Sequence, residues 1–599
     1  MSSIAGSPIV AAAGGSFLIE SRSPTEIFTP EDLSEEQRQF AATAEEFGKE
    51  EILPVAGEVE AKKPGVLAGL LRKAGELGFT AVDIPEEYGG MGLDKVSSTV
   101  ITDHLSVLAS FSTAFGAHVG IATLPLVWYG TEEQKQRYLP RLATAECIGA
   151  YGLSEASSGS DAMNIRARAT LSGDGASYSL NGEKMWLTNC GIAGLYTVFA
   201  KIDGERFSAF LIDRETPGLT VGAEEHKLGI RGSSTCPLVL ENCRIPAANL
   251  LGEAGKGHHI AFNVLNVGRF KLGVACVGGA RHALAHMIRY AKERKAFGKP
   301  IAEFGLIQRK ISESAVRLYA AESMAYRTAG MLDAGLEALG EKRHAPREAQ
   351  QRIEEYAVEC SILKVYGSEM LGLVSDELVA TMAGYGYTEH YPAERFYRDA
   401  RINRIFEGTN EINRLIITGW LMKRAMAGKL PLLGAIKAAM DEAMQPPSFD
   451  AAGDSGAALA RESEILASVK KIALFAAGAA SQRFMTALQD QQEVMADLAD
   501  IISQVYALES ALLRAQKQAS GRGAAEVARA MTGLLADESM AMAEQAARRV
   551  LAACAEGDML RTQLAILRRL ARHTPENATA LSHAVAEHCV AAEKYPMQI

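Results

Sequence analysis

The hydrophobic pattern of this chain changes its period twice, and these changes restrict its fold more than any other feature. Before about Ile148 and after about Gly257, apolar residues recur every three or four positions, which is typical of amphipathic helices. Between them, runs such as Ile165 to Ala169 alternate apolar and polar residues, the period of half-buried strands. About six or seven short strands fit this interval, enough for a small β-barrel or sandwich. The predicted fold is therefore mainly α with a central β domain.

Turn and capping signals divide the chain further. Capping-box patterns at Ser34–Gln37 and Thr131–Gln134 predict helix starts, and Asn181-Gly182 predicts the turn of a β-hairpin. A Gln-Pro-Pro-Ser stretch beginning at Gln445 has the composition of a linker, and an Ala-rich, helix-favouring region follows it. The predicted segments are an arm over 1–33, an N-terminal α domain over 34–147, the β domain over 148–256, an α domain over 257–429, a linker over 430–456 and a C-terminal α domain over 457–599.

Charge and cysteine content exclude several classes of function. The 599 residues include 62 Lys and Arg against 72 Asp and Glu, giving a net charge of −10, and the basic residues form no stripe of the kind that binds nucleic acid. The eight cysteines include no Cys-x-x-Cys pair, which argues against a zinc ribbon or a redox dithiol, and their low density argues against a secreted disulfide framework. We predict no metal site. Because there is no basic signal-peptide region and no run of about 18 uncharged apolar residues, we expect a cytoplasmic protein with no membrane span.

Two segments of the predicted β domain could contact a polar or aromatic ligand. Tyr151–Asp161 concentrates Gly and Ser after an apolar run. Such a turn exposes backbone N–H groups and hydroxyls to a phosphate or a polar ring edge, although most Ser/Gly clusters are plain loops. Trp186 and Thr188 follow the predicted hairpin turn, where an indole beside a hydroxyl could flank an aromatic cofactor or belong to the core.

Glu407 is the candidate general base. It lies between the apolar pair Ile405-Phe406 and Gly408. An acidic residue before Gly-Thr could merely cap the helix that follows. If apolar neighbours bury the carboxylate, however, desolvation raises its pKa and makes it a stronger base.

Five motifs, in their order and spacing, resemble the acyl-CoA dehydrogenase family. They are Tyr151–Asp161, Asn181–Asn189, Arg294–Lys299, Arg398-Asp399 and Phe406–Thr409. The resemblance covers roughly residues 35–425. The length beyond 425 and the phrase Leu265–Phe270 are most similar to the very-long-chain branch and its bacterial long-chain relatives, which carry an extra C-terminal helical domain.

The resemblance implies that a helical domain, a β domain and a four-helix bundle enclose FAD, in a subunit that forms at least a dimer. Trp186 would then pack near the isoalloxazine and Thr188 would hydrogen-bond near its N5, while Arg294 and Phe297 would reach the FAD of the partner subunit. The full set of implied cofactor-binding residues is Tyr151, Leu153, Ser154, Ser160, Trp186, Leu187, Thr188, Arg294, Phe297, Gly384, Thr409 and Glu411.

The resemblance also implies the reaction, the first step of fatty-acid β-oxidation. Glu407 would remove the α-proton of an acyl-CoA while the β-hydride passes to flavin N5, giving a trans-2-enoyl-CoA, and electrons would then pass to electron-transferring flavoprotein. A minority of members carry the base at the position of Gly268, which has no side chain here. The implied substrate-binding residues are Ser112, Gly116, Ser160, Asn266, Arg269, Phe406 and Gly408.

Ser112 and Gly116 bear on acyl chain length, because the resemblance places them at the floor of the acyl pocket. Small side chains there would leave the floor open, and each buried CH₂ group contributes ~0.8 kcal/mol. We therefore expect long acyl chains. Gly116 could instead serve only to let two helices pack closely.

Other functions remain open at the level of sequence. The same fold could pass electrons to oxygen, as acyl-CoA oxidases do, or the chain could be mainly a scaffold or assembly protein. Leu430–Asp441 could form an amphipathic helix, but with only Lys429 and Lys437 nearby it supports at most peripheral membrane contact. A buried interdomain helix is the simpler interpretation.

Overall fold

The computed structural model describes residue 9 and residues 11–445, 459–519 and 524–597, without the side chains of residues 344 and 346. Residues 1–8 and 10 of the predicted arm, and residues 446–456 of the predicted linker, lie outside this part of the chain. The described segments form helical domains around one central sheet, which confirms the predicted fold class.

The N-terminal arm packs on the C-terminal part of the molecule. It contains short 3₁₀ turns, and its buried Phe17 ring lies 4.8 Å from the ring of Tyr506. Both predicted capping boxes, at Ser34 and Thr131, are confirmed. The helices of the N-terminal domain are α1 (Glu35–Phe47), α2 (Ala56–Glu60), α3 (Val66–Glu76), α4 (Lys95–His104), α5 (Ala109–Gly116), α6 (Leu124–Tyr129) and α7 (Glu132–Ala143).

The β domain is one eight-stranded sheet with the order β6-β7-β3-β2-β4-β5-β8, in which β1 pairs with β4. The central strands β4 and β5 are buried along nearly their whole length, so the sheet has a core on both faces. The strands are β1 (Gly149–Gly152), β2 (Arg168–Leu171), β3 (Ser177–Thr188), β4 (Leu195–Ile202), β5 (Arg206–Asp213), β6 (Leu219–Val221), β7 (Thr235–Pro246) and β8 (Leu250–Leu251).

Asn181-Gly182 does not form the predicted hairpin turn. Strand β3 runs through both residues, and its pairing with β7 shifts register between Leu180 and Gly182. Gly182 has a φ of +148°, and a Cβ at this position would meet Ala167 Cα at 2.8 Å. The pair therefore forms a β-bulge, because glycine tolerates both this conformation and the close approach of the neighbouring chain.

Four long helices, α8, α9, α11 and α13, form the bundle that follows the sheet. Its elements are α8 (Gly257–Glu293), β9 (Lys295–Ala296), β10 (Lys299–Pro300), α9 (Gly305–Glu337), α10 (Pro346–Glu354), α11 (Ala357–Met382), α12 (Ala393–Ala400) and α13 (Asn410–Met426). Two helical stretches, Ala109–Tyr129 and Gly257–Glu293, are long and apolar enough to cross a membrane, but their apolar windows are 72% and 78% buried inside the protein. This burial is typical of core helices.

The C-terminal domain packs against the bundle through α16, which contacts α9 and α13. Its helices are α14 (Leu432–Met444), α15 (Ala460–Phe484), α16 (Gln492–Gln518), α17 (Ala524–Cys554), α18 (Gly557–Leu570) and α19 (Ala578–Ala592). Helix α14 occupies the first half of the predicted linker and packs on α15. Leu432 and Ala443 of α14 are buried. This part of the segment is therefore better described as an interdomain helix than as a linker.

Candidate active site

A cavity of about 130 Å³ lies between α4, α5, α8 and α11, beside the loop that precedes α13. Elements far apart in the sequence meet here. The sequence-predicted residues that line this cavity, called the acyl cavity below, are Ser112, Gly116, Thr188, Phe406 and Glu407.

Glu407 lies at one end of the acyl cavity in an uncommon backbone conformation. Its φ is +58°, and that of Gly408 is +82°. The side chain faces Gly268 of α8, where an added Cβ would lie 2.6 Å from Glu407 Oε2. This oxygen is enclosed and has no hydrogen-bond partner among the described residues. Holding a non-glycine residue in such a backbone conformation costs about 1–3 kcal/mol of free energy, so surrounding contacts must stabilise it.

Burial raises the pKa of the Glu407 carboxyl to about 7, because the ionised form loses its hydration. The cations of Arg269 and Lys364 act in the opposite direction and favour the carboxylate. A carboxyl group with a pKa near neutrality accepts a proton more readily than an exposed glutamate does. The pKa of Glu407 is therefore suited to a general base.

Three side chains from different helices hold the Glu407 loop by its backbone. Arg269 Nε donates to the carbonyl oxygen of Glu407 at 3.2 Å. The carbonyl oxygen of Gly408 accepts from Lys364 Nζ at 2.7 Å and from Asn413 Nδ2 at 2.8 Å. Lys364 and Asn413 were not among the predicted site residues, since no local motif marks them. A lysine inside the apolar run Ile362–Tyr366 of α11 was the available signal.

A buried ion pair supports the Ser/Gly loop after β1. Lys184 Nζ donates to Glu155 Oε1 at 2.6 Å and to the carbonyl oxygen of Leu153 at 3.2 Å. Glu155 also accepts the backbone N–H groups of Arg166 and Ala167, which is why the strand predicted from Ile165 begins only at Arg168. This pair was likewise missed, although both members lie within the sequence motifs.

Two further charged residues line the acyl cavity and had no predicted role. Lys271 Nζ donates to Asp83 Oδ2 at 2.5 Å, so its charge is paired. Asp399 accepts the backbone N–H of Ile230 at 2.5 Å, and burial raises its pKa to about 7. Both side chains therefore join the cavity wall to neighbouring elements.

The end of β3 presents the aromatic and polar groups expected beside a flavin. Trp186 has a φ of +58° and is 55% exposed, and Thr188 lines the acyl cavity. Leu187 lies between them in the core of the sheet, so only its backbone could contact a cofactor. Tyr151 is buried with a hydroxyl that has no partner among the described residues, and both burial and the Glu407 charge raise its pKa.

Arg294 and Gly384 lie at a separate, larger cavity of about 780 Å³ near the C-terminal ends of α8 and α11. Phe297, in the turn between β9 and β10, is 96% exposed. An aromatic ring so fully exposed is typical of a contact with another chain. The contact of Arg294 and Phe297 with the partner subunit's FAD stays a prediction.

The remaining predicted residues divide into exposed and buried positions. Ser160 and Glu411 are exposed, and Leu153 and Ser154 are half-buried. Thr409 caps the N-terminus of α13 by accepting the N–H of Ile412. Asn266 accepts from Arg269 Nη1 at 2.9 Å, and both are buried below the Glu407 loop, so their contact with CoA stays a prediction. Among the described residues, no group of three or more His, Cys, Asp or Glu could hold a metal ion.

Family models cover most of the chain. They match residues 34–146 as the acyl-CoA dehydrogenase N-terminal domain, 150–243 as its middle domain, and 255–422 and 468–569 as C-terminal domains. The chain belongs to the acyl-CoA dehydrogenase family. This family consists of FAD-dependent oxidoreductases.

Individual relatives agree with the family models. A probable acyl-CoA dehydrogenase of Bacillus subtilis is 45% identical over 586 residues, which are 97% of this chain and 98% of that protein. The crystal structure of an acyl-CoA dehydrogenase complexed with FAD from Bacillus anthracis has a TM-score of 0.94 and 44% identity, covering 98% of this chain and 100% of that one. The human mitochondrial short-chain specific acyl-CoA dehydrogenase is 36% identical over 402 residues, or 66% of this chain and 92% of that protein.

The site residues of this family member fit a bound FAD. The unpartnered hydroxyl of Tyr151 and the exposed face of Trp186 leave a polar atom and an aromatic surface available. Thr188 adds a hydroxyl in the wall of the acyl cavity, two residues after Trp186 on β3. Such a combination suits a planar heteroaromatic ring with a polar rim.

Proposed function

We propose that this acyl-CoA dehydrogenase family member catalyses the FAD-dependent α,β-dehydrogenation of long-chain acyl-CoA thioesters to trans-2-enoyl-CoA, the first step of fatty-acid β-oxidation. The observation that carries the proposal is the carboxyl group of Glu407, enclosed at the end of the acyl cavity and held against Gly268. The alternative position for the base, residue 268, is a glycine in this chain and supplies no carboxyl group.

In this mechanism Glu407 accepts the α-proton of the bound thioester. Bound FAD supplies the acceptor for the hydride that leaves Cβ. Arg269 and Lys364 hold the Glu407 loop through its carbonyl oxygens, so the carboxylate keeps one orientation while it reacts. The backbone N–H of Glu407 has no acceptor among the described residues and could donate to the thioester oxygen, where negative charge develops.

The shape of the acyl cavity supports a long chain. One stripe of α8 lines it from Gly268 to Gly279, a distance of about 16 Å at 1.5 Å per residue. A Cβ at Gly116 would meet nothing within 4 Å, so the alternative role of Gly116 in close helix packing is wrong. Gly116 instead leaves space in the wall of the cavity for acyl carbons.

Replacing Gly116 by Leu should shift the substrate preference toward shorter acyl chains. The new side chain extends into open space, so the fold tolerates it, but it occupies volume that about three or four methylenes would fill. We expect kcat/KM for palmitoyl-CoA to fall at least about tenfold, with butyryl-CoA affected less than about twofold.

Gly434→Leu is the matched control for this variant. Gly434 lies in α14, away from the acyl cavity, and its position is equally open. The control should keep the chain-length profile of the unmodified enzyme. A Gly116→Leu enzyme with an unchanged profile would contradict the assignment of this cavity to the acyl chain.

We also propose electron-transferring flavoprotein as electron acceptor, a homodimeric assembly and a cytoplasmic location. The exposed Phe297 supports a second subunit, and the eight buried, unpaired cysteines suit a reducing compartment. Titration with acyl-CoAs of increasing length under anaerobic conditions should bleach the flavin absorbance. Slow reoxidation in air then supports the dehydrogenase, rapid reoxidation supports the oxidase alternative, and no bleaching at any length supports a scaffold.

A further inference from the structure

Four buried side chains of alternating charge connect the C-terminal domain with α4, and we call them the ionic chain. Arg514 of α16 donates through Nη1 to Glu322 Oε2 at 2.7 Å. The other oxygen of Glu322, Oε1, accepts from Arg281 Nη2 at 2.8 Å. Arg281 makes two bonds to Asp103, Nη1 to Oδ1 at 2.9 Å and Nη2 to Oδ2 at 2.8 Å. The ionic chain thus spans three domains.

The outer end of the ionic chain involves both terminal parts of the polypeptide. Arg514 also binds Glu31 of the N-terminal arm, with Nη2 at 2.8 Å from Oε1. The hydroxyl of Tyr595, near the C-terminus, donates to Glu322 Oε2 at 3.0 Å. Arg514 has no exposed surface and is therefore enclosed among these groups.

The inner end of the ionic chain lies directly behind the acyl cavity. Asp103 lies near the end of α4 between Thr102 of that helix and Ser106 of the turn that follows it, and both of these residues line that cavity. Helices α4 and α8 touch here through their backbones, since a Cβ at Gly278 would lie 2.0 Å from the carbonyl oxygen of Asp103. A displacement of Asp103 would therefore move the cavity wall.

This part of the wall is remote from the reacting carbons. Gly268, opposite Glu407, and Gly279, beside Ser106, are separated by three turns of α8, about 16 Å. The terminal carbons of a long acyl chain would reach the Ser106 end, whereas a short chain would stay near Glu407. A change at this end should consequently affect long substrates alone.

Buried charges of this kind hold one another in a single arrangement. Each member of the ionic chain is at most 6% exposed, so a member that loses its partner becomes an unpaired charge in a medium of low polarity. Removing Arg514 would leave Arg281 as the remaining cationic partner of Glu322 in the ionic chain. Arg281 would then shift toward Glu322, which would disturb its bonds to Asp103.

We propose that Arg514 of the C-terminal domain is a positioning residue for acyl-chain specificity, which acts through Glu322, Arg281 and Asp103 to fix the far wall of the acyl cavity. This proposal rests on the proposed function. It gives the C-terminal domain a role in the choice of substrate, although none of the described residues of that domain lines the acyl cavity.

The test compares Arg514→Met with Arg327→Met in the full-length holoenzyme. Arg327 is the matched control because it is equally buried and pairs with Glu509 at 2.7 Å across the same two helices, α9 and α16. For Arg514→Met we expect kcat/KM for palmitoyl-CoA to fall about tenfold, mainly through KM, as if the burial of about two methylenes were lost. The kcat/KM for butyryl-CoA should change less than about twofold. In Arg327→Met, the ratio of kcat/KM for palmitoyl-CoA to kcat/KM for butyryl-CoA should stay that of the unmodified enzyme.

Equal losses on both substrates, or the same change of ratio in the Arg327→Met control, would overturn the proposal. Asp103→Asn provides a second variant at the inner end, and it decides the matter if Arg514→Met does not fold. A loss of about tenfold in kcat/KM for palmitoyl-CoA in Asp103→Asn supports the proposal. An unchanged ratio of kcat/KM between palmitoyl-CoA and butyryl-CoA overturns it. If the unmodified enzyme oxidises neither substrate, the proposed function itself is contradicted. If the unmodified enzyme is active and the variants keep its chain-length preference, only the proposal for Arg514 is contradicted.

Discussion

Replacing Glu407 by Gln should lower kcat for acyl-CoA oxidation by about 10³-fold, within the range that general-base catalysis contributes. Glutamine has nearly the same shape but cannot accept the α-proton. The loop itself should persist, because Arg269, Lys364 and Asn413 bind backbone carbonyl oxygens and not the carboxylate. The rate of anaerobic flavin bleaching at saturating acyl-CoA measures the effect, and KM should change little.

Glu359→Gln is the control for the Glu407→Gln variant. Glu359 is also a buried glutamate whose pKa burial raises to about 7, but it lies on α11 and accepts the backbone N–H of Gly15 from the arm. This substitution should affect stability and leave kcat within about twofold. If Glu407→Gln kept full turnover while binding FAD and acyl-CoA, another group would have to be the base.

The same carboxyl group should govern the pH dependence of the unmodified enzyme. Only the ionised form of Glu407 accepts a proton, and its pKa lies near 7. The kcat/KM of the free enzyme should therefore rise with pH through about 7 and level off above it. Lys364 favours the carboxylate, so Lys364→Met should move this rise to higher pH. A shift to lower pH in that variant would contradict the electrostatic role of Lys364.

Replacing Gly268 by Ala should lower kcat by about 10²-fold, because displacement of a catalytic group by about 1 Å has consequences of that size. The added methyl group would lie 2.6 Å from Glu407 Oε2 and 2.9 Å from its carboxyl carbon. The carboxylate must move away, whereas the helical backbone of α8 accepts alanine readily. Single-turnover flavin reduction measures the loss, and the thermal unfolding temperature should stay close to that of the unmodified protein.

Gly279→Ala makes the same substitution on the same helix at the far end of the acyl cavity. Its Cβ would lie 3.5 Å from Leu371 Cδ1, an ordinary contact. This control should keep kcat for short substrates within about twofold. Comparable losses of kcat in both variants would show that α8 tolerates no alanine, and the effect at Gly268 would then not result from its contact with Glu407.

Much of this protein could be predicted from local patterns. Capping boxes at Ser34 and Thr131, the strands of the β domain and the long helices follow from spacing and propensity, which act between near neighbours. The sequence also named Glu407 as the candidate base, since the residues around it carry the resemblance to the family. The pair Asn181-Gly182 is compatible with either a hairpin turn or a β-bulge. The bulge forms here because Ala167 of another segment approaches Gly182 closely.

Only the tertiary structure decided the state of the site. The raised pKa of Glu407 results from burial by distant segments, and Lys364 reaches its loop from a helix 43 residues earlier in the chain. The link from Arg514 to Asp103 crosses three domains, and no pattern in the sequence marks it. The physical reason is range: propensities and caps act over a few residues, whereas desolvation and ion pairing depend on which segments meet when the chain is packed.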